Sequence, residues 1–473
     1  MIILTLKGQK QMTKDKKEKQ FIKMTQTPMV KLILMLSAPT VVSMLITSIY
    51  NMADTYFVSK LGTSASGAVG VVMPLMTIIQ AFGFMLGSGA GSRISIYLGE
   101  GNSKEAEKVA SSAVFASILC GLFVAIVSRL ILPDLLRLMG ATETILPYAL
   151  SYSKCILFGF PIMCSSFVLN HLLRSQGKTT LSMIGLTTGG LINIALDPIL
   201  IFVFDLGIAG AAIATVLSQG ISFSLLLMFA LSKHSSLKIS LAKISRDLIT
   251  YIRIITLGAP SLLRQGLGSI AISILNNRAA LFGDQAVAAL SIVGRVAMII
   301  MAVMLGVGQG FQPIVGYNYG AKIYKRVKNA FLVTLIIGCV MMVITAGICF
   351  AFAPAIITAF RPDDPEVIRI GAFSLRLQAC VLPLMSLTIS TNMLHQSLAK
   401  SKVATFLALT RQGIYFIPLI LILPSFFGLL GVQISQSIAD VLSMLTAIPF
   451  VIRFFRHLSM EEKQLNWDLY NHE

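Results

Sequence analysis

Charge is what this chain has least of. Asp, Glu, Lys and Arg make up 12% of its 473 residues, against roughly 25% in an ordinary soluble domain, so a soluble globular protein is excluded. It also lacks a Gly-x-x-x-x-Gly-Lys-Ser/Thr phosphate loop and any polar stretch long enough for a nucleotide domain, which excludes direct ATP drive. No His-Glu-x-x-His or other hydrolytic constellation lies on the apolar segments, so an intramembrane enzyme has no support. There is no Cys-x-x-Cys. The six cysteines (Cys120, Cys155, Cys164, Cys339, Cys349 and Cys380) all sit in apolar blocks with no His at ligand spacing, and read as small buried hydrophobes rather than disulfides or metal ligands. No Ala-x-Ala site follows the Lys-rich first 30 residues, which read as a cytoplasmic tail rather than a cleavable signal, with Met12 and Met24 as alternative starts.

What is present is hydrocarbon. Apolar residues are 55% of the chain, grouped in blocks long enough to cross a ~30 Å hydrocarbon core as helices. Twelve spans are predicted: 31–58, 66–92, 108–133, 148–173, 180–203, 207–231, 249–277, 285–317, 329–352, 367–396, 403–424 and 428–452. The net charge of +18 is explained by where the basic residues fall, not by nucleic acid. The two tails and alternate loops hold 27 Lys and Arg, and the opposite loops hold six. Basic residues stay on the cytoplasmic side, so both termini are expected there. The fold class is therefore an all-α polytopic membrane protein.

An internal repeat divides it. A shift of 221 positions lays "LSAPT" at 36 onto "LGAPS" at 257, and Gly62, Gly87, Gly89 and Gly99 onto Gly283, Gly308, Gly310 and Gly320. At 222, Pro161, Asn170 and Lys178 meet Pro383, Asn392 and Lys400. Each half carries six spans, an even number, so the repeat is parallel and its pseudo-twofold axis runs along the membrane normal. The expected organisation is a tail (1–30), an N-lobe (31–231), a partly amphipathic cytoplasmic linker (232–248), a C-lobe (249–455) and a second cytoplasmic tail (456–473). Two such bundles enclose a cleft, the arrangement of an alternating-access carrier.

Carboxylates at membrane depth are functional candidates by default, and three qualify: Asp54, Asp197 and Asp440. Asp54 and Asp197 each lie a few residues before their segment leaves on the same outer side, so they are predicted at similar depth. Asn193 stands one turn below Asp197, and Pro198, lacking an N–H, bares the Ile194 carbonyl. Such a set can bind one monovalent cation, including a transient Na⁺, or share a proton. Asn51 is a further candidate ligand. Pro39 in segment 1 offers a helix hinge. Asp440 is expected to pair structurally with one of Arg264, Arg295, Arg376 or Arg411, while Lys154 and His171 read as interfacial anchors. Met73, Met76, Met298 and Met301, on repeat-related segments 2 and 8, are candidate linings for a cleft that takes bulky lipophilic cations.

Longer motifs carry a resemblance. "LSAPTVVSMLITSIYNMADTYFVSKLG", "GSGAGSRISIYLGEGN", "LLRSQGKTTLSMI", "NIALDPILIF" followed by "LGIAGAAIAT", and "GVGQGFQPIVGYNYGA" resemble the multidrug and toxic compound extrusion (MATE) family over residues 28–455. The resemblance implies antiport of cationic amphipathic drugs and dyes against H⁺ or Na⁺ with no cofactor; H⁺ is favoured because two carboxylates and one amide offer few firm ligands for a bare ion. In the family's DinF-like branch a helix-1 acid and the Asn and Asp of helix 5 form the ion site, corresponding to Asp54, Asn193 and Asp197. The additional acids of the NorM-like branch, in helices 7 and 10, have no counterpart here. A monomeric multi-pass protein of a bacterial plasma membrane follows, in contact with lipids and small molecules. The competing reading is a lipid-linked oligosaccharide flippase of the same superfamily.

Overall fold

The computed structural model describes residues 18–232 and 235–472. Among them are twelve long helices: α1 (Met29–Ser59), α2 (Thr63–Gly99), α3 (Ser103–Leu130), α4 (Leu146–Ser175), α5 (Thr179–Pro198), α6 (Gly207–Leu231), α7 (Leu248–Ala280), α8 (Asp284–Gly320), α9 (Tyr324–Ala351), α10 (Pro365–Ser397), α11 (Ser401–Leu409) and α12 (Leu429–His472). Two of them are prolonged through π-helical turns. α5 continues as Ile199–Val203, directly after Pro198, and α11 as Thr410–Phe416 and then Ile417–Phe427. Short helices Leu132–Leu138 and Ala353–Phe360 follow α3 and α9 at repeat-related places. The turns before α2 and α8 also match: Gly62 and Gly283 take φ of 112° and 95°, a region open to glycine.

The predicted spans and the helices agree closely, with three differences. Among the described residues, eleven helices are long and apolar enough to cross a membrane; α7 falls short because Arg253, Arg264 and Arg278 are spaced along it. The repeat with α1 and the two-lobe fold make it the twelfth. α12 runs on past the expected end near 452, since "RFFRHLSMEEKQ" is polar but helix-forming and is held by Lys328, which pairs with Glu462 at 2.7 Å. The stretch expected as a free tail includes a helix over 18–26, with Met24 fully buried. Met12 lies outside the described residues.

Large apolar side chains such as Phe123, Leu130, Phe158 and Ile336 are exposed on the outer faces of the bundle, as lipid contact requires. Packing between lobes is concentrated at one end, the end carrying the 18–26 helix, the linker and the polar extension of α12. There Gly99 of α2 lies against the Tyr317 carbonyl of α8, and Gly320 of α8 against the Ile96 carbonyl of α2, a symmetric crossing that no Cβ could enter. Gly89 and Gly258 do the same for α2 and α7, as do Gly306 and Gly310 of α8 for Val41 and Ser37 of α1. The apolar core is continuous through this end, joining Leu36, Met85 and Leu172 to Phe311, Ile314 and Leu394. Towards the other end Gly70, Gly266 and Gly294 face open space. The molecule is thus closed at the terminal end and open at the opposite one.

Candidate functional site

The N-lobe acids meet in its open half. The glycine run "GLTTGG" brings α5 between two neighbours: Gly185 and Gly189 face Leu226 and Ser222 of α6, and a Cβ on Gly190 would stand 3.0 Å from the Tyr50 ring of α1. That close approach carries Asn193 and Asp197 to the face of α1 that holds Asp54. Asn193 and Asp197 are 1% and 0% exposed, and Asp54 is 8% exposed.

The Asn193 amide donates to Asp197 Oδ1 at 3.1 Å and lies 3.4 Å from the Thr215 hydroxyl of α6. The Tyr152 hydroxyl of α4 donates to Asp54 Oδ2 at 3.4 Å and lies 3.7 Å from Met76 Sδ of α2. Asp54 Oδ1, Asn193 Oδ1 and Asp197 Oδ2 are buried with no hydrogen-bond partner. An unsatisfied buried acceptor costs about 1–3 kcal/mol, more when charged. Three such oxygens in one pocket therefore constitute an electrostatic demand for a proton or a small cation.

The remaining candidates are distributed unevenly. Asn51 makes no side-chain hydrogen bond to either acid; only its carbonyl is used, by Thr55 at 2.9 Å. Of the four methionines, Met76 touches the Tyr152 hydroxyl, Met301 packs on the C-lobe core, and Met73 and Met298 are exposed. α1 passes through Pro39 as one helix, and the Pro39 carbonyl accepts from Ser43 at 2.9 Å. Asp440 accepts from Arg411 Nε at 2.7 Å and from Gln436 at 3.0 Å, on α12 at the repeat position of Gln219. Lys154 is exposed.

Several polar residues escaped sequence reasoning. Tyr152 and Thr215 carry no signal of their own; only proximity reveals them. His171 is not an interfacial anchor, and Arg174 is not a loop cation: both are buried between the lobes, at 6% and 4% exposure. α4 runs to Ser175, and the glycine-lined crossing brings α2 and α8 over its end, so these side chains are enclosed rather than wetted. Arg174 hydrogen-bonds Gln309 of α8 and donates to His171 Nδ1 at 2.8 Å. Its repeat counterpart, Gln396 of α10, reaches the other way to Ser88 of α2 at 3.1 Å. The repeat offset pairs Arg174 with Gln396 and Ser88 with Gln309, a relation visible in the sequence once the register is known.

Comparisons with known proteins agree with this architecture. The MatE family profile matches residues 39–199 and 260–422, one copy in each half. The chain is 26% identical over 450 residues to the multidrug export protein MepA of Staphylococcus haemolyticus, covering 95% of this chain and 99% of the relative. It is 27% identical over 453 residues to MepA of Staphylococcus aureus, covering 95% and 99%. Among solved structures it resembles the outward-facing conformation of a multidrug resistance MATE family transporter of the MOP superfamily, with a TM-score of 0.87 at 26% identity, over 93% of this chain and 98% of that one.

Proposed function

This chain belongs to the MatE family, and we propose that it is a multidrug exporter that moves lipophilic cations across a bacterial plasma membrane by proton-coupled antiport. The observation that carries the coupling is the N-lobe pocket in which Asp54, Asn193 and Asp197 each present a buried oxygen with no donor. Three free oxygens are few for Na⁺, whereas one proton neutralises a carboxylate and supplies a donor to its neighbour. In this reading substrate and proton compete: deprotonation creates a negative pocket that attracts a cation, and protonation from the open side releases it.

The charge bias supports cytoplasmic termini, and on that reading the conformation described here is outward-open, with the N-lobe proposed at 31–231, the linker at 232–248 and the C-lobe at 249–455. At the N-lobe acids the unmatched atoms are acceptor oxygens, and in the C-lobe Arg411 is neutralised by Asp440. This favours cations over the polyanionic headgroup a flippase must accommodate.

Dye efflux from proteoliposomes under an imposed pH or Na⁺ gradient tests the proposal. Wild type should respond to pH, and Asp197→Asn should lose about tenfold or more of that response. Tyr152→Phe, which deprives Asp54 of its donor, should change the gradient needed for half-maximal efflux. Efflux driven by Na⁺ alone would overturn proton coupling, and an unimpaired Asp197→Asn carrier would remove the pocket from the mechanism.

A further inference from the structure

A second polar site lies in the closed seam between the lobes. A small cavity of about 20 Å³ is lined by Ser88, Ser92 and Ser95 of α2, His171 and Arg174 of α4, and Gln309 of α8. That volume holds one water-sized occupant and excludes a phosphate. The wall is built from both lobes, so the cavity exists only while this end is closed.

Its chemistry is one-sided. A guanidinium can only donate, so the His171 Nδ1 that faces Arg174 at 2.8 Å is the acceptor nitrogen, and the ring proton sits on Nε2. That Nε2 is buried and has no partner. Arg174 bonds only the Gln309 carbonyl oxygen and His171, both neutral. Among the described residues no carboxylate lies within ion-pair distance of it. Arg264, which reaches Ser261 at 3.4 Å and through it Ser88 at 2.9 Å, adds a second cation matched only by the amide of Asn392. Ser92 and Ser95 donate to the carbonyls of Ser88 and Gly91 in their own helix, and each hydroxyl can rotate its proton towards an occupant instead. The repeat-related position of Arg174 is Gln396, which is neutral and fully hydrogen-bonded to Ser88, Ser261 and the Leu257 carbonyl.

We propose that this cavity binds one small monovalent anion, chloride in the cell, which compensates Arg174, accepts from the Ser92 and Ser95 hydroxyls and holds the lobes together at the closed end. A water molecule would leave the guanidinium uncompensated in a buried seam, where an unpaired charge is strongly destabilising. The site is independent of the drug and coupling-ion reading, and its test uses no substrate.

The test is the thermal midpoint of the purified full chain, titrated with chloride or bromide against gluconate at constant ionic strength. Wild type should show a saturable rise of roughly 2–4 °C with either halide. Arg174→Gln, which installs the residue of the repeat-related position, should abolish that rise, and His171→Gln should weaken it. Crystals of wild type grown in bromide should show an anomalous peak inside the cavity. A midpoint indifferent to halide, an Arg174→Gln protein that keeps the full rise, or bromide crystals with no peak in the cavity beside Arg174 would each overturn the proposal. Should Arg174→Gln fail to insert, the bromide peak on wild type decides alone.

Discussion

Replacing Gly99 by alanine should open the closed end without unfolding the protein. In the closed conformation a Cβ on Gly99 overlaps the Tyr317 carbonyl, and the neighbouring atoms are also backbone, the Tyr317 carbon and the Ala321 nitrogen. Nothing on that side can rotate away, so the α2–α8 crossing must widen. Overpacking of this kind costs about 1–3 kcal/mol. The same substitution favours the helix by up to ~1 kcal/mol, but equally in both conformations, so this gain cancels from the equilibrium between them. Taking ~2 kcal/mol for the clash, the closed state loses about 30-fold relative to its competitor. The assay is maleimide labelling of Ser92→Cys, buried in the seam at 7% exposure, in a background with the six native cysteines replaced. Its rate should rise by up to about 30-fold with Gly99→Ala, and again with the symmetric Gly320→Ala. Gly70→Ala, on the same helix but facing open space, is the control and should leave labelling unchanged. Well-folded Gly99→Ala protein that labels like its parent would refute the claim that this crossing holds the seam shut, and so would a Gly70→Ala protein that labels as fast.

Two further outcomes are expected. Asp440→Asn should lower the amount of correctly inserted protein, because it strips the acid from a pair in which Asp440 is 3% and Arg411 21% exposed; with Arg411 partly wetted the loss is about 1–3 kcal/mol. Fluorescence size-exclusion of the detergent extract measures it, and normal yield with transport abolished would move Asp440 from architecture into mechanism. A C-terminal reporter that is active only after export should stay silent, as the distribution of Lys and Arg requires; strong exported activity would reverse the topology and with it the assignment of the open end.

The residues that could be read in advance are those whose chemistry is anomalous for their surroundings. An acid inside a hydrocarbon block stands out in one dimension, which is why Asp54, Asp197 and Asp440 were identifiable, and Asn193 followed from helical periodicity. Helix positions were legible for the same reason, except where apolarity and helicity part company. α7 is helical but charged, and α12 remains helical after its apolar stretch ends. The seam was illegible because His171 and Arg174 sit where a polar segment end is expected, and their burial depends on a crossing between distant helices. The glycines of that crossing were conspicuous. Their partners, backbone carbonyls such as those of Tyr317 and Ile96, carry no sequence signature at all.

One helix, α1, joins the acid site to the seam between the lobes. Near its start α1 is tied to the C-lobe: Ser37 donates to the Val307 carbonyl at 3.2 Å and Thr40 to the Gly306 carbonyl at 2.5 Å. Asp54 lies 14 residues beyond Thr40, about 21 Å along the axis at helical rise, and there α1 packs on Gly190 of α5 and on the Tyr152 hydroxyl. One end of α1 therefore belongs to the seam and the other to the acid pocket, with Pro39 inside the tied end. Any motion that parts the lobes at the closed end must break the bonds of Ser37 and Thr40 while the Asp54 end is held by N-lobe partners. A change of charge at Asp54 alters how tightly that end is held, and a rigid helix conveys the difference to the seam. This link needs no chain of intermediate residues, since the acid site and the lobe-to-lobe bonds of the seam both act on the position of α1.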